Sequence, residues 1–133
     1  MVTRIRLRVV EIFHRNHSWA EFWAAMGGIL FGWSSWHNPL AMSGFSSLTV
    51  VLSIMPEHWW ELLAVVAGLF QLYALYVDQR WLRMLAAIVN CGWISVMTAA
   101  MMLGDPVSFW WPFVAAAAGC NLFAVIRLVG NVR

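Results

Sequence analysis

Charged residues in this chain cluster at a few points, with long apolar runs between them. No Asp, Glu, Lys or Arg occurs between Glu21 and Glu57, between Glu61 and Asp78, between Arg83 and Asp105, or between Asp105 and Arg127. A helix needs about 20 apolar residues to cross roughly 30 Å of hydrocarbon, so each run, with its flanking residues, supplies one crossing. Backbone amides cannot stay unpaired in lipid, which predicts helices, and the continuous apolarity argues against the alternating pattern of barrel strands. Spans are expected over residues 18–36, 57–77, 82–103 and 109–129.

The connecting segments carry breaker chemistry. His37, Asn38 and Pro39 end the first span, Asp78-Gln79-Arg80 makes a tight turn, and Gly104-Asp105-Pro106 makes another. Short connections set successive helices antiparallel and adjacent, so the expected fold is all-α: one integral membrane domain, 1–133, built as a four-helix transmembrane bundle. Residues 39–55 are apolar but carry Ser43, Ser46, Ser47, Thr49 and Ser53, with Phe45, Leu48, Leu52 and Met55 forming a stripe on the other side. This segment reads as a short outer amphipathic or re-entrant piece, closed by Pro56. At the start, Val2, Ile5, Val9, Ile12 and Phe13 share one helical face and Arg4, Arg8, Glu11 and Arg15 the opposite one. Residues 1–17 are therefore expected to hold an interfacial amphipathic helix on the cytoplasmic surface.

Composition supports a lipid solvent. Hydrophobic residues make up 62% of the 133 and charged residues 11%, where soluble domains run about 45–50% and about 25%. The eight basic residues are all arginines: Arg4, Arg6, Arg8, Arg15, Arg80, Arg83, Arg127 and Arg133. With four spans all eight fall on one side, whereas counting 39–55 as a fifth span would divide them equally. The positive-inside rule selects four spans, with both termini in the cytoplasm of a bacterial-type inner membrane. Trp33, Trp36, Trp59, Trp60, Trp110 and Trp111 then gather at outer ends and Trp19, Trp23 and Trp81 at inner ends, as interface belts do. The basic start runs into His14, Arg15, Asn16 and His17 before the first apolar span, which is not the pattern of a removable signal peptide.

Few residues carry candidate chemistry. Three small-residue stripes, Ala24/Gly28/Gly32, Ala64/Gly68 and Ala115/Gly119, are expected to let helices approach closely. Gln71, Asn90 and Asn121 fall near one depth and are expected to form an intramembrane polar layer of interhelical hydrogen bonds. Glu21 has Arg80, Arg83 and Arg127 as candidate partners, and Glu61 has His58 and His37. His37 and His58, with Glu57 and Asp105 on the same side, are the candidate ligands for a metal or haem, although no HxxxH or HExxH spacing supports one. Cys91 and Cys120 lack metal-ligand or CxxC spacing and read as buried free thiols. Nucleophilic, phosphate-loop and zinc motifs are absent, so no enzyme, no cofactor and no nucleic-acid partner is expected.

Three small membrane families fail on specific residues. Small multidrug transporters use a central glutamate in the first span, the fluoride-channel family an Arg-containing Gly-rich signature, and DsbB-type oxidoreductases paired outer cysteines; none of these is present. The run from Trp59-Trp60 through Gly68, Gln71-Leu72, Arg80 and Arg83, then Trp93 and the helix from Asn121 to Arg127, resembles small inner-membrane proteins of phages and prophages. That resemblance implies membrane-directed roles, holin-like at most: permeabilisation at lysis, exclusion of competing phage, or attachment to a larger assembly. The reading taken from the residues is a non-enzymatic protein acting by helix–helix assembly in the lipid bilayer, as a homo-oligomer or as a small subunit of a membrane complex. A holin-like pore former and a small transporter or channel are the alternatives.

Overall fold

A computed structural model describes residues 18–38, 42–108 and 111–130; the expected interfacial helix of residues 1–17 lies outside them. The regular structure of the described residues is all helical, with no strand. Helix α1 is Ser18–His37, a 3-10 turn covers Ser46–Leu48, α2 is Thr49–Ile54, α3 is Glu57–Val77, α4 is Arg80–Gly104 and α5 is Trp111–Gly130.

Local chemistry sets the ends of these helices. Acidic Glu21 and Glu57 lie in the first turns of α1 and α3, where the helix dipole favours them. At the end of α1, His37 Nδ1 bonds the Trp33 carbonyl at 2.9 Å and Asn38 Nδ2 donates to the Ser34 carbonyl at 3.2 Å. Both side chains fold back onto carbonyls near the end of the helix. Asp78 ends α3 in the left-handed conformation (φ 54°) and its N–H donates to the Ala74 carbonyl. A short polar residue tolerates that conformation, and one further residue, Gln79, leads into α4. Pro112 sits in the first turn of α5, where its missing N–H has no helical partner to lose.

The long helices run alternately up and down. A methyl group built on Gly32 would lie 2.6 Å from the Glu61 carbonyl oxygen, one on Gly28 3.1 Å from the Ala64 oxygen, and one on Gly68 2.7 Å from the Ala25 oxygen. Rising numbers on α1 thus meet falling numbers on α3, an antiparallel contact along both helices. Helix α1 packs chiefly on α3 and α4 chiefly on α5; the two pairs meet along α3–α4 and α1–α5. The helices therefore sit in the cyclic order α1, α3, α4, α5, with α1 facing α4 and α3 facing α5 across the middle.

Helices α3, α4 and α5 are each long and apolar enough to cross a membrane. With 20 residues, α1 has the length but falls short in hydropathy, because four tryptophans, three serines and three glycines dilute its aliphatic residues. Composition alone therefore carries three crossings, where four were expected.

Residues 42–55 fold over one end of the bundle as a cap. Met42, Leu48 and Val51 are buried there against Trp60, Met97 and Met101. Of the expected stripe, Leu48 is buried and Leu52 and Met55 pack against the same cluster, whereas Phe45 is 47% exposed and Met42 and Val51, at 2% and 0%, join the buried face. Three ties fix the cap. The Met42 N–H donates to Glu57 Oε1 at 3.0 Å, Ser46 Oγ donates to Asp105 Oδ2 at 3.0 Å, and Trp60 Nε1 donates to the carbonyls of Val51 and Met55. Trp60, expected in an interface belt, is thus an internal residue, while its neighbour Trp59 stays exposed.

Candidate functional site

The interior holds polar groups at two levels, and at each level they join helices across the bundle diagonal. At the end where α1 starts, Arg83 of α4 binds Glu21 of α1 through two nitrogens, with Nε 3.0 Å from Oε2. Arg83 Nη1 also donates to Asp78 Oδ1 at 2.8 Å. Both members of the Glu21–Arg83 pair are buried, at 2% and 5% exposure. Of the three arginines considered for Glu21, Arg83 is the partner. Arg80 instead donates from Nη2 to the Val129 carbonyl at 3.2 Å, and Arg127 is exposed in the last turn of α5. The described arginines thus share one end of the bundle, called here the arginine end.

Deeper in, Gln71 Nε2 of α3 donates to Asn121 Oδ1 of α5 at 3.0 Å. Asn90 of α4 donates from Nδ2 to the Ala67 carbonyl of α3 at 3.1 Å, and its Oδ1 accepts from Trp93 Nε1 at 2.9 Å. The structure therefore brings Gln71 and Asn121 into direct contact and ties Asn90 to the backbone of α3. Only Gln71 Oε1 lacks a partner among the described buried side-chain atoms. Interhelical bonds of this kind average about 0.6 kcal/mol and reach about 1.7. Gln71→Leu is expected to lower stability within that range, because it leaves Asn121 Oδ1 unpaired. Gln71→Leu/Asn121→Leu should recover most of the loss, as read by unfolding in mixed micelles.

The small-residue stripes separate into two classes. Gly28, Gly32, Ala64 and Gly68 are consumed inside the α1–α3 contact, with Ala25 meeting Gly68 where Ala24 was expected to pack. Ala24 is half-buried at the edge of a groove. On α5, Ala115 is half-buried, and Gly119 is exposed with nothing within 4 Å of a Cβ built on it. Exposed Ala116, Cys120 and Phe123 share the face of Gly119. Cys120 is thus on the outside of the bundle, not buried as expected, because its face of α5 has no neighbour among the described residues. Cys91 is half-covered, with Sγ 3.7 Å from the Ala118 carbonyl.

The candidate cofactor residues are engaged singly. The His37 ring lies tilted against Trp33 with centroids 4.4 Å apart, and His58 lies 5.5 Å from Trp59. Glu57 and Asp105 hold the cap, as described above. Among the described residues, no three His, Cys, Asp or Glu side chains gather as metal ligands, and no ion pair joins Glu61 to His37 or His58. Sequence reasoning placed Asp78 in the turn between α3 and α4 but missed its bond to Arg83, and it missed the roles of Met42, Val51 and Trp60. No family model, curated protein or solved structure matches the chain.

Proposed function

We propose that the protein is a non-enzymatic four-span membrane protein that acts by lateral assembly, with α5 as its contact helix. The carrying observation is the imbalance of burial: 17% of the most apolar stretch of α5 is buried within the chain, against 44% in α3 and in α4. That helix also presents its small residues, Ala116, Gly119 and Cys120, outward. In lipid, close approach of backbones drives helix association, and small residues permit it. The corresponding residues of α1 and α3 are already used internally, which leaves α5 for a second copy or for a helix of a larger complex.

Helix α1 counts as the fourth span because it runs antiparallel along α3, from Gly32 beside Glu61 to Ala25 beside Gly68. Its 20 residues measure about 30 Å. Its buried acid is neutralised by Arg83 at the arginine end, where a span meets headgroups. The shared position of Arg80, Arg83 and Arg127 supports a cytoplasmic side for that end by the positive-inside rule.

A holin-like pore is the weaker reading, because Gln71, Asn90 and Asn121 are turned inward and bonded to one another or to backbone. In mild detergent the purified chain is expected to run as a discrete oligomer or in a defined complex. Gly119→Leu should convert it to a monomer, and dye-loaded vesicles containing the wild-type chain should not leak. A monomeric wild type with no partner, or leakage at low protein density, would overturn the assembly reading.

A further inference from the structure

A groove of about 500 Å³ lies between α1, α4, α5 and the cap, open on one side. Its walls include Gly27 and Phe31 of α1, Met97 of α4 and Val114 of α5, and Met42 and Leu48 roof it. No charged residue lines it. Serines are its only hydroxyl-bearing lining residues, and Ser34, Ser35 and Ser47 all lie toward the cap. Along α1 the lining runs from Trp23 to Ser35, roughly 18 Å at 1.5 Å per residue. That is close to the depth of one leaflet, roughly half of a 30 Å hydrocarbon core.

We infer that this groove binds one acyl chain of a membrane phospholipid from the leaflet at the cap end, with the headgroup beside Ser34 and Ser47. The inference rests on the membrane placement proposed above. Water is a poor occupant, because almost no lining group offers the hydrogen bonds it would give up. An ion is worse, since nothing in the groove carries the complementary charge. A partner helix would be poorly held, because the walls fall far short of the roughly 800 Å² per partner that a stable protein interface buries. A hydrocarbon chain matches the groove in polarity, in depth and in the position of its one polar end. It also restores the dispersion contacts that an empty groove would forfeit.

Two glycines make the test clean. A Cβ on Gly27 meets nothing within 4 Å, so Gly27→Leu fills the groove without a backbone clash. Gly92 is equally open and lies outside the groove, so Gly92→Leu is the control. The full chain is reconstituted in phosphatidylethanolamine–phosphatidylglycerol vesicles containing some phosphatidylcholine with a mid-chain diazirine, irradiated, and mapped by peptide mass spectrometry. Label is expected to concentrate on Phe31, Met97 and Val114 above its level on outward-facing Leu122 and Ile126. In Gly27→Leu the groove labelling should fall about tenfold, as expected if about two buried methylenes are displaced. In Gly92→Leu it should not change. Equal groove labelling in Gly27→Leu, or groove labelling no higher than at Leu122 and Ile126, would overturn the inference. Absence of label at Leu122 and Ile126 as well would instead sink the membrane placement.

Discussion

Replacing Arg83 with methionine is expected to destabilise the protein by about 3–5 kcal/mol, the cost typical of stranding one member of a buried ion pair. Glu21 is 2% exposed and both its oxygens face Arg83, so no water reaches it to replace the guanidinium. Asp78, the second partner of Arg83, is 27% exposed and retains solvent, so it contributes less. The double replacement Glu21→Met/Arg83→Met should recover most of the loss, since an apolar pair of similar volume carries no desolvation penalty. Unfolding midpoints of the two variants in the same detergent provide the check. If the single variant is as stable as wild type, the α1–α4 diagonal tie is not a structural element.

The second large effect belongs to the α1–α3 contact. A Cβ on Gly32 would lie 2.5 Å from Val65 Cγ2 and 2.6 Å from the Glu61 carbonyl oxygen. A Cβ on Gly68 would lie 2.7 Å from the Ala25 oxygen and 2.7 Å from Ile29 Cγ1. Side-chain atoms can turn aside, but the carbonyls cannot, so α1 and α3 must move apart. Gly32→Ala and Gly68→Ala are each expected to cost about 1–3 kcal/mol, the range for overpacking. Gly92→Ala, placed where nothing lies within 4 Å, should cost nothing, and alanine is the better helix former by about 1 kcal/mol. Thermal unfolding followed by the near-ultraviolet circular dichroism of the tryptophans separates the variants. Equal midpoints for Gly32→Ala and Gly92→Ala would contradict the close approach of α1 and α3.

These effects show which parts of the structure the sequence makes legible. Uncharged runs bounded by Pro56, Asp78 and Asp105 mark where helices lie, because charge and breakers act along the chain. All-helical character and three apolar helices follow from that. The rotation of each helix does not. In a soluble helix the polar face announces the surface, but here both faces are apolar and either can meet lipid. Trp59 and Trp60 are adjacent and chemically identical, yet one is 51% exposed and the other 3%. Their difference comes from the carbonyls of Val51 and Met55, which the cap brings to Trp60. Cys120 turns outward because its face of α5 has no neighbour among the described residues.

The polar residues were the better guide to position. Gln71, Asn90 and Asn121 must find partners inside an apolar bundle, so their spacing predicts a shared layer, and the structure places Gln71 on Asn121. Choosing Arg83 over Arg80 and Arg127 for Glu21 required more. It depended on α4 starting one residue after Gln79, which turns Arg83 inward and Arg80 toward the end of α5. Of the glycines, Gly28, Gly32 and Gly68 serve the fold, Gly27 opens the groove, and Gly119 remains on the surface.

The most direct test of lateral assembly through α5 uses the exposed thiol that α5 already carries. With Cys91→Ser, Cys120 is the sole cysteine of the chain. Oxidative cross-linking in native membranes should then yield one discrete product, a covalent dimer or an adduct with one defined membrane protein, and Gly119→Leu should abolish it. A Cys120 that reacts fully with a membrane-permeable maleimide but forms no cross-linked product would contradict the account.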